Sequence, residues 1–477
     1  MNKRNLTWFT LGSLASSSLS FISIPIIAWV FPDADIGKVA LLLSVSGVAT
    51  ILFSLGLDQS YTREFNEAGD KSALLLNVSG PGAALMLAFA TAVMVFAPTW
   101  PSRVLFGEDS PALSAFVFGY LFIVLVSRFL TLSLRMQEDG KRYALSFLVA
   151  KLVFVGLVCL AYRRHSPGLV DLLAAHGASV ATALLFLLVT NASTLRTIRP
   201  SQLDWTAQKR LMAFGLPVAT SGLLFWGLEG VDKFLLRTFS SYAELGVYSI
   251  ALSISAMATV LTSMFTTVWI PVVYRWVGQG EDLSRIDSVS RHILAAAVLL
   301  LGATGASSWL LRYALPDKHA VVQDLIPACM LWPVFYAVSE TTGLGIAIAR
   351  ATRLGLLAAG IALASNVVLN LALLPVFGSR GAAAALACSI WVFFFMRTEI
   401  SYRTWRRTPR RALYLWTLAT LALAVSHALA GAFARAWFAG AWCLLLAVAI
   451  IVFRDSLREG VSAALSVVTS RRATAAS

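Results

Sequence analysis

The stretch GLEGVDKFLL, residues 227–236, places Glu229, Asp232 and Lys233 close together in an otherwise apolar segment. Spacings of three and four residues put all three on one helical face with Trp226. Single ionisable residues interrupt three other apolar runs: Arg128 in LFIVLVSRFLTLSLR, Lys151 in SFLVAKLVFVGLV and Glu340 in FYAVSETTGLGIAIAR. A cation in such a place can hold an anionic oxygen, and the planar fork of arginine suits phosphate best. Carboxylates there can exchange a proton or bind a cation, which makes Glu229 and Glu340 the coupling candidates. Each position has a plainer reading beside it. The 229–233 group can be a local ion pair, Arg128 and Lys151 can snorkel or join an interhelical pair, and Glu340 can hydrogen-bond a neighbouring helix. Arg63, Arg350 and Arg353 sit at predicted helix ends, as topology anchors or as receivers of an anionic headgroup. Trp226, Trp269, Trp332 and Tyr336 could stack on a ligand ring or belong to an interfacial aromatic belt. His176 and His427 read as packed side chains.

The elements that position these residues follow from composition. Of 477 residues 58% are hydrophobic and 13% charged, with a mean hydropathy of +0.77, far from a soluble domain. Apolar runs of about 20 residues, each long enough to cross a hydrocarbon core of roughly 30 Å, recur along the chain. Lipid leaves the backbone to satisfy its own hydrogen bonds, so these runs predict an all-α integral membrane bundle. The spans are expected near 6–31, 38–58, 72–97, 112–134, 143–162, 168–191, 212–236, 244–273, 291–311, 323–348, 355–376, 381–398, 412–432 and 436–453, about 14 helices. Lys151 then lies about eight residues into its span, roughly 12 Å deep at 1.5 Å per residue.

Basic residues set the orientation. With MNKRN in the cytoplasm, well over half of the 38 Lys and Arg fall on the cytoplasmic side, including the RTEISYRTWRRTPRR loop. Both termini are then cytoplasmic, and the net charge of +14 reflects topology and anionic-lipid contact. The basic residues are dispersed over short loops without a nucleic-acid-binding motif. Cys159, Cys329, Cys388 and Cys443 fall within predicted spans without metal-ligand spacing and read as small hydrophobes. The first apolar run is too long for a cleavable signal and is expected to remain as a span.

The chain also repeats itself. A shift of 209 residues lays DIGKVALLLSVSGVATILFS (35–54) on ELGVYSIALSISAMATVLTS (244–263), with the acid, Gly37/Gly246 and several small residues coinciding. Six spans separate the copies, so both run in the same direction. That predicts two pseudo-symmetric six-helix lobes about an axis along the membrane normal, the repeat geometry of a transporter. The expected divisions are 1–191 for the N-terminal lobe, 192–211 for a cytoplasmic connector and 212–398 for the C-terminal lobe. An extra helix pair (399–454) and a cytoplasmic tail (455–477) complete the chain.

Two segments carry a resemblance. DKFLLRTFSSYAELGVYSIALSIS resembles the link between the seventh and eighth helices of the polysaccharide-transporter family. These are the Wzx-type lipid-linked oligosaccharide (O-antigen) flippases of the MOP superfamily, which also holds the lipid II flippase and MATE drug exporters. NVVLNLALLPVFGSRGAAAALACSIW (366–391) resembles that family's eleventh and twelfth helices, with its Asn pair, Pro-x-x-Gly turn and Gly-Ala-Ala start. The resemblance implies a V-shaped central cavity in a bacterial inner membrane. It also implies movement of undecaprenyl-pyrophosphate-linked oligosaccharide from the cytoplasmic to the periplasmic leaflet by alternating access. A polysaccharide polymerase and a chain-length regulator are the implied partners, with membrane lipids. Asp232 and Lys233 match the family's acidic-basic pair at the cavity mouth.

Such a cargo needs cations for its pyrophosphate, which Arg128, Lys151, Lys233, Arg63 and Arg350 could supply. Enzymatic readings find little support. There is no phosphate-binding glycine loop, no HExxH and no clustered histidine, and no cofactor is called for. The longest outward loop, PTWPSRVLFGEDSPA, is too short for the catalytic domain expected of a polysaccharide ligase or polymerase. A cation-coupled small-molecule exporter remains the alternative. The lone cations Arg128 and Lys151 within apolar runs favour anionic cargo over cationic drugs.

Overall fold

The computed structural model describes residues 3–164, 166–431, 434–456 and 458–459, and all regular structure among them is helical. The predicted tail 455–477 lies outside the described residues from 460 onward, as do residues 1–2. Among the described residues, thirteen helices are long and apolar enough to cross a membrane. The apolar segment Ser18–Val30, within α1, occupies the place of the first predicted span. The protein is therefore a multi-pass helical membrane protein. It divides into two compact units, Met1–Ser249 and Ile250–Ser477.

The first unit contains α1 (Lys3–Val30), α2 (Asp33–Ser54), α3 (Leu57–Glu64), α4 (Lys71–Phe96), α5 (Trp100–Phe106), α6 (Pro111–Met136), α7 (Gly140–Ala161), α8 (Leu169–Thr190), α9 (Ala192–Arg196), α10 (Trp205–Phe239) and the start of α11 (Tyr242–Ser255). The predicted span 38–58 is not one helix. Leu55 and Gly56 both take positive φ, ending α2 and redirecting the chain into α3. Gly56 is required there, because a Cβ would collide with the Gly215 carbonyl oxygen of α10.

Helix α10 starts earlier than its apolar run. Asp204 accepts from the Thr206 and Ala207 amides, capping a 35-residue helix about 52 Å long. The rest of the predicted connector is tied to α4. Asn77 donates to the Gln202 carbonyl and accepts from the Asp204 amide and Gln208 Nε2, while Gln202 donates to Asp70.

The sequence repeat has a structural counterpart. Helices α2 and α11 begin at Asp33 and Tyr242, positions related by the same 209-residue shift. A Cβ on Gly37 would collide with the Tyr242 carbonyl oxygen, and one on Gly246 with the Asp33 carbonyl oxygen. Under the shift Asp33 becomes Tyr242 and Gly37 becomes Gly246, so the contact is exchanged with itself, as a local two-fold relation requires.

The second unit holds the remainder of α11, then α12 (Met257–Gln279), α13 (Ser284–Ser307), α14 (Val322–Thr342), α15 (Gly345–Ile348), α16 (Thr352–Phe377), α17 (Ser379–Thr404), α18 (Arg411–Ala430) and α19 (Arg435–Val452). The predicted span 323–348 ends early, at Thr342, and continues only as the short α15. Helix α14 is the buried centre, packed by α12, α13, α17 and α18. Pro333 within it lacks an amide, and its carbonyl accepts from the Thr262 hydroxyl of α12. In α17 the run GAAAALA is wholly buried, its small side chains letting backbones approach closely.

Candidate functional site

The ionisable residues of the spans fall into distinct environments. Arg128 lies eight positions before the end of α6, and its Nη2 donates to Asp58 Oδ2 of α3 at 2.8 Å. Asp58 is buried, while the Arg128 side chain is 47% exposed. One edge of the guanidinium is thus fixed and the rest is presented, a geometry suited to an oxyanion. The apolar pattern carried the predicted span through Asp58 and hid this partner. The amphipathic segment LDQSYTRE after Gly56 is the signal that could have found it.

Lys151 sits near the middle of α7, about 17 Å from Gly140 and about 15 Å from Ala161 at 1.5 Å per residue. This is deeper than the roughly 12 Å expected, because α7 starts three residues before the predicted span. A four-carbon stem is too short to bring its ammonium to either end of the helix. Its Nζ lies 4.7 Å from the Phe154 ring centroid, and Phe154 in turn packs on His176 at 4.4 Å. Among the described residues no carboxylate forms an ion pair with it. Lys151 thus lies over the Phe154 ring, in a medium where a lone charge is costly.

The 229–233 group splits. Asp232 is fully buried, and its carboxylate accepts from the Tyr248 hydroxyl and the Lys233 amide. It presents no oxygen to a surface, and it joins α10 to α11 instead of lining a mouth. Lys233 Nζ lies 4.0 Å from Asp232 and donates to the Glu229 carbonyl at 3.0 Å. Glu229 is exposed, so the three residues share a sequence face but not an environment.

Glu340 takes the plainer of its two readings, a bond to a neighbouring helix. It lies two residues before the end of α14, and Arg397 of α17 donates to its carboxylate at 2.7 Å and to Ser339 at 2.9 Å. Arg397 was missed because FFFMRTE places it at the edge of a predicted span. Arg63 is exposed and stacks on Phe214, and Arg350 is exposed at positive φ in the turn before α16. Trp269 is buried and donates to the Glu340 carbonyl, so it offers no face to a sugar. Tyr336 stacks on Phe393.

The architecture has solved counterparts. The chain is similar to the lipid II flippase MurJ in an inward closed conformation, with a TM-score of 0.70 at 12% identity over 94% of this chain and 99% of that one. It is also similar to an inward-facing multidrug resistance MATE transporter of the MOP superfamily, with a TM-score of 0.53 at 16% identity over 83% and 94%. A mutant of the Vibrio cholerae MATE transporter VcmN matches with a TM-score of 0.52 at 12% identity over 84% and 96%. At these identities the likeness shows a shared fold. No curated protein sequence matches the chain. The model of the family described as polysaccharide biosynthesis protein matches residues 3–276, more than half the sequence, and the chain belongs to that family.

Proposed function

We propose that this protein flips undecaprenyl-pyrophosphate-linked oligosaccharide units, the repeats of O-antigen or another surface polysaccharide, from the cytoplasmic to the periplasmic leaflet of a bacterial inner membrane. Alternating access between the repeat halves, 1–191 and 212–398, is the proposed route, with both termini cytoplasmic. The observation that carries the reading is Lys151, a cation at mid-span without a carboxylate partner among the described residues. A lone charge there costs about 3 kcal/mol on insertion scales, which a role with anionic cargo would explain. Membership in a polysaccharide biosynthesis family supports the same cargo class.

In this reading Lys151 and the presented edge of Arg128 hold pyrophosphate. Lys233, Arg63 and Arg350 guide the anion, and Asp232 positions Lys233. Glu229 and Glu340 are the proton- or cation-coupling candidates, Glu340 with Arg397 bonded to its carboxylate. A polymerase and a chain-length regulator would act on the delivered units.

The test is a strain lacking the gene, analysed for surface polysaccharide and for undecaprenyl-linked intermediates, with plasmid-borne wild type or Lys151→Met. The expected result is loss of polymer and accumulation of complete single units facing the cytoplasm, reversed by wild type only. Normal polymer with altered drug susceptibility would overturn the proposal in favour of a small-molecule exporter.

A further inference from the structure

In the second unit, the ends of α13, α14, α18 and α19 surround a cavity of about 480 Å³, within the range of small-ligand sites. Its lining includes Ser308, Trp309, Arg312, Asp317, Gln323 and Asp324, with His427 and Arg435 closing the far wall. Ser308, Trp309 and Arg312 lie in the 3-10 turn that continues α13, Asp317 in a short turn before α14, Gln323 and Asp324 in the first turn of α14, His427 in the last turn of α18 and Arg435 at the start of α19. The cavity therefore lies at the depth where spans end, the level of lipid headgroups.

Its wall carries a charge cluster centred on the buried Asp324. Asp324, fully buried, accepts from Arg435 Nε at 2.7 Å and Nη2 at 2.9 Å, and from Arg380 Nη2 at 3.3 Å. One carboxylate faces two guanidinium groups, so a positive charge is left over. Arg312 adds another. It donates to the Tyr313 hydroxyl at 2.7 Å, lies over the Trp309 and Tyr313 rings, and has no ion-pair partner among the described residues. Among the lining residues Arg312 and Arg435 balance Asp317 and Asp324, and Arg380, bonded to Asp324 from outside the lining, puts the group one positive charge in excess.

His427 adds a neutral donor. An indole N–H can only donate, and Trp442 Nε1 lies 3.1 Å from His427 Nδ1. Nδ1 is thus the acceptor, and the proton of the neutral imidazole is on Nε2. The ring is 3% exposed and lines the cavity.

We propose that this cavity is a lipid-headgroup site that takes one phosphodiester flanked by hydroxyls. Arg312, Arg435 and His427 Nε2–H serve the phosphate, and the oxygens of Asp317 and Gln323 accept from the hydroxyls. A single net positive charge matches a monoanionic diester. The exposed Trp309, Leu310 and Tyr313 beside the cavity have the composition of an interfacial anchor, which favours a lipid over a free anion. The site involves none of the residues proposed for cargo and does not depend on that reading.

Native mass spectrometry of the full-length protein in maltoside detergent tests this, with phosphatidylglycerol, diacylglycerol and inorganic phosphate as probes. Wild type is expected to retain phosphatidylglycerol over diacylglycerol. Arg312→Gln should weaken that retention about tenfold through loss of one charge-assisted contact, while Arg407→Gln leaves it unchanged. Arg312 is exposed and outside the Asp324 cluster, so its variant should fold even if His427→Gln does not. Equal retention of diacylglycerol, or unchanged binding in Arg312→Gln, overturns the proposal. Displacement by millimolar inorganic phosphate would assign the pocket to a free anion and overturn its lipid assignment.

Discussion

Lys151→Met separates a functional cation from a structural one, because the two roles predict opposite changes in stability. At mid-span an ammonium costs about 3 kcal/mol relative to an apolar residue on insertion scales. Its contact with the Phe154 ring at 4.7 Å returns about 1 kcal/mol. Methionine keeps a similar length and comparable helix propensity, so the variant should be more stable by about 2 kcal/mol, roughly thirtyfold in the unfolding constant. Reversible unfolding in mixed micelles measures this, and complementation of the deletion strain measures transport. The expected pair of results is higher stability with lost polymer, and Lys151→Arg should keep partial transport. A variant that is less stable than wild type, or one that restores full polymer, would refute the assignment of Lys151 to anionic cargo.

Two further outcomes follow from the packing. Arg397→Met leaves the buried Glu340 carboxylate without its cation and should cost about 3–5 kcal/mol, whereas the double variant with Glu340→Gln should recover most of that loss. Strictly additive costs in that cycle would mean the pair is not coupled. Gly37→Ala and Gly246→Ala each drive a Cβ into a backbone carbonyl, so each should destabilise by about 1–3 kcal/mol or more, and to a similar extent. Tolerance at one position with failure at the other would argue against the two-fold contact.

Much of the fold was legible in the sequence because the rule behind it is local. Backbone in lipid must bond to itself, so an apolar run of sufficient length is a helix wherever it is placed. The start of α10 shows where this reading fell short. Hydropathy placed it near 212, while the Asp204 side chain starts the helix at Trp205. The break at Leu55–Gly56 escaped as well, since nothing in the apolar pattern reports that α10 approaches too closely there for a side chain.

The candidate site was legible as a set of residues but not as an arrangement. Sequence alone singled out Arg128, Lys151, Glu229, Asp232, Lys233 and Glu340, because ionisable groups in apolar runs are conspicuous in any reading. It determined the membrane class, the approximate spans and the repeat, which depend on composition and on spacing along the chain. Tertiary structure decided which charges are neutralised. Arg128 meets Asp58 across 70 residues, Glu340 meets Arg397 across 57 and Asp324 meets Arg435 across 111, while Lys151 lies over the Phe154 ring with no carboxylate paired to it among the described residues. Such pairings are set by which helices pack together and at what depth. Two charges far apart in sequence interact only when packing brings them within a few ångströms, and the spacing of residues along one helix carries no record of that.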